Sequence, residues 1–126
     1  MKRTILIADD NMEVRHVVAD IVESTGYTVI QAESGEQTIS LAMSQGIDAF
    51  ILDVQMPRMS GVELCRVLRS MEKYRSTPII FLTGVGEEVG LSDAFAAGCD
   101  DFILKPPSIT VLRARLKSHF ERKDYI

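Results

Sequence analysis

The sequence lacks three features that would place it in a nucleic-acid-binding, membrane or disulfide-rich class. Its formal net charge is −4, so there is no basic excess of the kind that binds nucleic acid without sequence preference. No apolar stretch is long enough to span a membrane, and the first residues do not resemble a signal peptide. The two cysteines, Cys65 and Cys99, fit no metal-ligand spacing, which favours reduced thiols in a cytoplasmic protein.

The composition is that of an ordinary globular domain. The 126 residues are 46% hydrophobic and 25% charged, which suits one domain with its own core. We therefore predict a single domain over residues 1–126, in which residues 120–126 either complete the last helix or begin a linker. The end of the chain carries no helix stop signal, so a stand-alone domain and a piece of a longer protein both stay open.

Five short segments are predicted to be β-strands. Four of them are nearly continuous apolar runs, which are typical of parallel strands covered on both faces. Gln31 interrupts the other segment, so we expect that strand at an edge of the sheet. The predicted strands are residues 4–8, 28–32, 49–53, 78–83 and 101–105.

Between the strands, apolar residues recur with the period of a helix. Gly26 is placed to end the first helix, Ser34 and Ser60 to begin the second and third, and Ser108 to begin the fifth. A fourth helix is predicted over residues 87–98. The predicted inward-facing residues are Val14, Val17, Val18, Ile21, Val22, Leu64, Val67, Leu68, Met71, Ile109, Leu112 and Leu116.

The alternation of strands and helices predicts an α/β fold of the (βα)5 type, with helices on both faces of a parallel sheet. In such sheets ligands bind beyond the carboxyl ends of the strands. Five polar side chains follow or end strands and are expected at that edge. They are Asp9, Asp10, Asp53, Thr83 and Lys105.

A second pair of adjacent acids, Asp100 and Asp101, precedes the fifth strand. Together with Asp48, it is expected at the opposite edge of the sheet, in turns and caps. His16 and His119 do not fit the apolar stripes of their helices, so we expect both on helix surfaces and neither as a metal ligand. The basic residues of the fifth helix are expected to be solvated, with a contact surface or linker as the alternative.

Three carboxylates at one edge carry a charge of −3, which is unfavourable without a cation. Lys105 contributes +1 and a divalent ion +2, so the sum becomes zero. Oxygen ligands without histidine or thiolate favour Mg²⁺, with Mn²⁺ as the alternative. A metal ion beside a lysine and a hydroxyl is an arrangement suited to phosphoryl transfer.

Four motifs resemble those of the receiver domain of bacterial two-component response regulators, in particular the chemotaxis regulators. They are "ADDN" (8–11), "LDVQMPRMSG" (52–61), "FLTG" (81–84) and "LKP" (104–106). They occur in the family's order, each at a predicted strand end, and the match covers nearly the whole chain. The resemblance implies a flavodoxin-like sheet with strand order 2-1-3-4-5.

The resemblance also implies a role for each matched residue. Asp53 would accept a phosphoryl group from a sensor histidine kinase or a histidine phosphotransfer protein. Asp10 and Asp53 would bind Mg²⁺ directly, Asp9 mainly through water, and Gln55 through its backbone carbonyl. Gln55 occupies a position that varies in the family and tunes dephosphorylation. The Lys105–Pro106 peptide is typically cis in the family.

The implied switch involves Thr83 and Lys105, which would bind the phosphoryl group. Phe102 matches the family's aromatic switch position, although it lacks the hydroxyl of the tyrosine common there; a plain core role is equally open. Residues 84–90 contain three glycines, so this segment is expected to shift easily. The output would be a changed surface on the fourth helix, fifth strand and fifth helix, presented to a downstream protein or an attached output domain.

Two other functions compete with a signalling receiver. The first is a phosphatase with an aspartyl nucleophile, but Gln55 follows Asp53 where that chemistry needs a second acid. The second is an interaction module that needs no phosphorylation, against which the intact acid set argues. We therefore expect a cytoplasmic protein that catalyses only its own phosphorylation and dephosphorylation, without direct contact with nucleic acid or membrane.

Overall fold

The chain folds as alternating strands and helices. The computed structural model describes the backbone of residues 2–84 and 91–124 and the side chains of residues 2–84 and 92–122. The described elements are β1 (Thr4–Ala8), α1 (Met12–Ser24), β2 (Thr28–Ala32), α2 (Gly35–Ser44), β3 (Ala49–Asp53), α3 (Gly61–Ser70), a one-turn 3-10 helix (Glu72–Tyr74), β4 (Ile79–Thr83), α4 (Leu91–Ala96), β5 (Asp101–Leu104) and α5 (Ile109–Asp124).

The five strands form one parallel sheet in the order β2-β1-β3-β4-β5, as predicted. One apolar layer packs α1 and α5 against the sheet, and the other packs α2, α3 and α4 against its opposite face. The strand containing Gln31 lies at an edge, as predicted, and is less buried than the wholly buried β3 and β4. No helix among the described residues is long and apolar enough to cross a membrane.

The predicted strand ends are wrong by one residue at β4 and β5. Pro78 precedes β4, because it has no N–H to donate, although its carbonyl accepts a hydrogen bond from Phe50 N at 2.9 Å. Lys105 follows β5, and its N–H still donates to the Thr83 carbonyl at 2.7 Å. The lysine therefore stays attached to the end of β4.

The predicted helix ends are largely confirmed. The Ser34 and Ser60 side chains accept hydrogen bonds from the first turns of α2 and α3, and Ser60 forms a capping box. The Ser108 hydroxyl accepts from Val111 N at 3.0 Å. Gly26 and Gly98 follow α1 and α4 with φ of 100° and 105°, a conformation that glycine adopts at little cost. Of the predicted fourth helix, residues 87–90 lie outside the described residues, as do residues 85–90 of the glycine-rich segment.

Two predicted inward-facing residues are in fact exposed. Val17 is 54% exposed, because the buried face of α1 runs through Arg15, Val18, Ala19 and Val22 and is rotated away from Val17. Ile109 is 47% exposed, because it begins α5 at the edge of the sheet, whereas Leu112, Leu116 and Phe120 farther along are buried.

The acids at the amino ends of the strands serve the fold, as predicted. Asp48 accepts the Thr4 N–H, and Asp100 accepts the Ile79 N–H and pairs with Arg69. Asp101 pairs with Arg115 and His119. The prediction of a surface position is wrong for His119, whose side chain is only 11% exposed because Asp101 draws it against β5, and is correct for His16.

The two cysteines are free and buried, as predicted for reduced thiols. Burial raises the pKa of both Cys65 and Cys99 to about 11, so both remain protonated near neutral pH.

Gly61 is required where α3 begins, because the end of β3 passes close to it. A Cβ added there would lie 2.4 Å from the Asp53 carbonyl oxygen and 3.0 Å from Val54 Cα. We expect Gly61→Ala to lower the free energy of unfolding by about 1–3 kcal/mol, as overpacking typically does, in urea titrations. Gly46→Ala is the matched control, since a Cβ there meets nothing within 4 Å. Equal stability of the two variants would contradict the prediction.

Candidate metal and phosphoryl-transfer site

Three carboxylates meet at the carboxyl edge of β1 and β3. One oxygen from each of Asp9, Asp10 and Asp53 lies within 4.8 Å of the others. Asp9 and Asp53 are 1% and 4% exposed, whereas Asp10 is exposed. The site therefore has two buried acids and one acid that faces solvent.

Lys105 is the cation paired with the two buried acids. Its Nζ donates a hydrogen bond to Asp53 Oδ1 at 3.0 Å and lies 3.4 Å from Asp9 Oδ2. The Lys105–Pro106 peptide is cis. Burial acts to lower the pKa of Lys105, but its hydrogen bond to Asp53 and the negative charges of Asp53 and Asp9 outweigh that effect and raise it. The ammonium is therefore charged at neutral pH.

The position of Asp53 raises the pKa of its carboxyl group. Burial is the largest cause, and the nearby charge of Asp9 adds to it, while the hydrogen bond from Lys105 acts in the other direction. The net effect is to raise the pKa of Asp53 from 3.8 to about 6. Ionisation of Asp53 is therefore unfavourable in the metal-free cluster, and a bound cation would favour it.

Two buried polar atoms lack hydrogen-bond partners among the described residues: Thr83 Oγ1 and Asp9 Oδ2. Asp9 Oδ2 lies within ion-pair distance of Lys105 but outside hydrogen-bond geometry. Buried polar atoms are seldom left unbonded in a folded protein. An all-oxygen donor set with a spare carboxylate oxygen fits a hard divalent cation, and a buried hydroxyl at the end of β4 fits a ligand with oxygen acceptors.

Of the other predicted site residues, Gln55 adjoins the cluster and Phe102 lies farther along β5. Gln55 is exposed, and its backbone N–H donates to Asp53 Oδ1 at 3.4 Å. Phe102 is half-buried, packs against the apolar layer of α2, α3 and α4, and contacts the Phe95 ring with centroids 5.6 Å apart. Its position on β5, next to Phe81 of β4, is compatible with both the switch and the core roles.

Sequence reasoning missed two residues at the site. Asn11 caps α1, and its N–H donates to Asp9 Oδ1 at 2.9 Å. Arg15 is buried, and its Nη1 donates to the Asp9 carbonyl at 2.9 Å, while its Nε donates to Gln31 Oε1 at 3.1 Å. The available signals were Gln31, which interrupts an apolar strand, and the position of Arg15, which lies three and seven residues before Val18 and Val22 and so shares a helix face with them.

Comparison with known proteins assigns the chain to a family. Residues 5–117 match the family model described as the response regulator receiver domain. The chain is 39% identical over 113 residues to the transcriptional regulatory protein ResD of Bacillus subtilis. This alignment covers 88% of this chain and 46% of ResD. This chain therefore spans about half the length of that relative.

Solved structures agree. A putative response regulator from Chloroflexus aurantiacus superposes with a TM-score of 0.90 at 31% identity, covering 94% of this chain and 98% of that one. The receiver domain of the Pseudomonas aeruginosa sensor histidine kinase PA1611, described as having a magnesium ion in its active-site cleft, gives a TM-score of 0.86 at 29% identity, covering 94% and 97%. The chain belongs to the response regulator receiver domains, which act in phosphorylation signalling by two-component systems.

Proposed function

We propose that Asp53 is the phosphoacceptor of this receiver and that a sensor histidine kinase or a histidine phosphotransfer protein is the donor. The observation that carries the proposal is the Asp53 carboxylate, buried beside two further acids and held by the Lys105 ammonium at 3.0 Å. An Asp53 oxygen attacks the phosphorus, the phosphorus–nitrogen bond breaks, and its electron pair leaves with the histidine nitrogen, which takes up a proton. The protein's task is to hold the acceptor and to balance charge.

Mg²⁺ is the metal we propose for the acid cluster, with Mn²⁺ able to replace it. Asp10 and Asp53 would hold it directly, Asp9 mainly through water and Gln55 through its backbone carbonyl. The ion supplies positive charge to the transferring phosphoryl oxygens when bound. Lys105 would bind a phosphoryl oxygen and balance part of its negative charge.

Phosphorylation adds negative charge at the end of β3. We propose that the Thr83 hydroxyl then turns to the phosphoryl group and that Phe102 fills the space this movement opens. The affected face carries exposed apolar side chains at Phe95, Leu104 and Val111, which are 48%, 51% and 38% exposed. That face is the surface we assign to a downstream protein or an attached output domain in the cytoplasm.

The test of this function is phosphorylation by a small donor. With acetyl phosphate and Mg²⁺, we expect intact mass spectrometry to detect one added phosphoryl group, which hydroxylamine removes because it is an acyl phosphate. Chelation of the metal ion with EDTA should prevent the addition. Sustained release of phosphate from excess aryl phosphate would instead favour a phosphatase.

The donor protein must cover the surface next to Asp53 for its histidine to reach the acceptor. An apolar groove of about 380 Å³ lies there, lined by residues that include Val14, Val17, Lys105 and Pro106. Because Val17 is 54% exposed on α1, we propose that it contacts the donor. The exposure of Val17, which was predicted to face inward, agrees with this proposed contact.

We expect Val17→Asp to slow transfer from a phosphorylated histidine phosphotransfer protein about tenfold or more, since a charge would be desolvated in the contact. Phosphorylation by acetyl phosphate should stay unchanged, because it needs no docking. Met43→Asp is the matched control, as Met43 is 69% exposed on α2. An equal loss with both donors would indicate damage to the site and not to docking.

A further inference from the structure

We infer that Arg15 and Gln31 are positioning residues, which hold the loop of residues 9–11 in the geometry that binds the metal ion. The inference rests on the Mg²⁺ requirement proposed above. Arg15 is 8% exposed on the buried face of α1, which it shares with Val18, Ala19 and Val22. Its guanidinium donates to the Asp9 backbone carbonyl at 2.9 Å and to Gln31 Oε1 at 3.1 Å.

Burial of the Arg15 guanidinium is unfavourable for folding, so its presence indicates a role that offsets this cost. A guanidinium removed from water normally has a carboxylate partner, because an uncompensated buried charge is strongly unfavourable. The two acceptors that Arg15 contacts, a carbonyl and an amide, are both neutral. Among the described residues, Arg15 forms no ion pair with a carboxylate, and it is joined to the acid cluster through the Asp9 backbone carbonyl. A buried charge held by two neutral acceptors is unfavourable for folding, which points to a role in placing those acceptors.

Arg15 holds Asp9, one of the proposed metal-binding acids, through its backbone carbonyl and not through its carboxylate. Asp9 is held by its N–H, which donates to the Ala32 carbonyl at 3.1 Å, and by its carbonyl, which accepts from Arg15. Ala32 and Gln31 are consecutive residues of β2, so both contacts attach the loop to the same edge strand. Metal-binding carboxylates need such support, because removing a residue that orients a ligand typically weakens metal affinity.

The first test is Arg15→Met, which keeps the apolar stem of the side chain and removes both hydrogen bonds. We expect calorimetry to give about tenfold weaker Mg²⁺ binding, the lower end of the range for residues that orient metal ligands. The direction of the change in Mg²⁺ affinity distinguishes lost positioning from lost charge. Removing a positive charge near a cation site by itself favours cation binding, so weaker binding reports lost positioning. Unchanged or tighter binding would overturn the inference.

Two more variants separate the role in positioning from folding and from charge. Gln31→Leu leaves the charge of Arg15 in place and alters only an edge strand, and we expect it to weaken Mg²⁺ binding several-fold. Arg15→Lys keeps the charge but has no fork with which to reach both acceptors, so binding should remain weak. Full recovery of affinity with lysine would overturn the positioning role.

Arg122→Met is the matched control. Arg122 is exposed near the carboxyl end of α5, whereas the amino end of this helix follows Lys105, so the substitution should leave Mg²⁺ binding unchanged. Thermal unfolding of each metal-free variant identifies any that fail to fold. If the wild type binds no Mg²⁺, the proposed metal requirement fails and this role fails with it. If the wild type binds Mg²⁺ and both Arg15→Met and Gln31→Leu match it, only the positioning role fails.

Discussion

Asp53→Asn protein is expected to gain no phosphoryl group from acetyl phosphate and Mg²⁺, under conditions in which the wild type gains one. The amide keeps the size and shape of the carboxylate but has no anionic oxygen to attack phosphorus. It also removes one of the three negative charges, so it relieves repulsion and leaves folding intact. Intact mass spectrometry measures the difference directly, and the expected effect is complete loss.

The control for this variant is Asp20→Asn, an amide substitution at an exposed position of α1. It should be phosphorylated as the wild type is, because Asp20 belongs to no acid cluster among the described residues. Wild-type incorporation in Asp53→Asn would assign the acceptor to another residue. Loss in both variants would point to a fault in the phosphorylation reaction itself.

The fold was predictable because its signals are local and repeated. Buried parallel strands need continuous apolar runs, and the connecting helices need a periodic stripe, so the order of elements followed from the sequence. The caps at Ser34, Ser60 and Ser108 were equally local. Strand direction then separated Asp9 and Asp10 from the similar pair at Asp100 and Asp101.

What the sequence did not reveal depends on tertiary packing. The rotation of α1 that exposes Val17 and buries Arg15 is decided by how the helix sits on the sheet, and two apolar stripes one residue apart look alike in the chain. His119 is drawn inward by Asp101, a partner 18 residues away. The close approach of Gly61 to the Asp53 carbonyl likewise depends on how α3 packs beside β3.

The stability of the metal-free protein is expected to fall as pH rises from about 4 to about 6. Burial, reinforced by the charge of Asp9, raises the pKa of Asp53 from 3.8 to about 6 in the folded state. Between these values the folded protein holds a proton that the unfolded chain has released, so the free energy of unfolding decreases with pH. A pKa raised from 3.8 to about 6 corresponds to roughly 2–3 kcal/mol.

Asp53→Asn isolates this contribution from those of other groups. Asp101 titrates with the opposite sign: although burial acts to raise its pKa, the hydrogen bonds from Arg115 and His119 lower it, so its stabilisation is lost as pH falls. Asp101 is present in both proteins and cancels in the difference between them. Urea titrations in EDTA should therefore find Asp53→Asn more stable than the wild type at pH 7 by roughly 2–3 kcal/mol, and similar to it near pH 4.

If Asp53 is a Mg²⁺ ligand, as proposed above, excess Mg²⁺ should reverse the order at pH 7, because the ion would stabilise the ionised carboxylate of the wild type and would lack this ligand in the variant. A difference in unfolding free energy that does not change with pH would show that the Asp53 carboxyl is not the group whose ionisation destabilises the fold. Burial of the ionised Asp53 carboxylate beside Asp9 would then not be unfavourable at neutral pH. It would provide no driving force for cation binding, and the acid cluster would require another explanation.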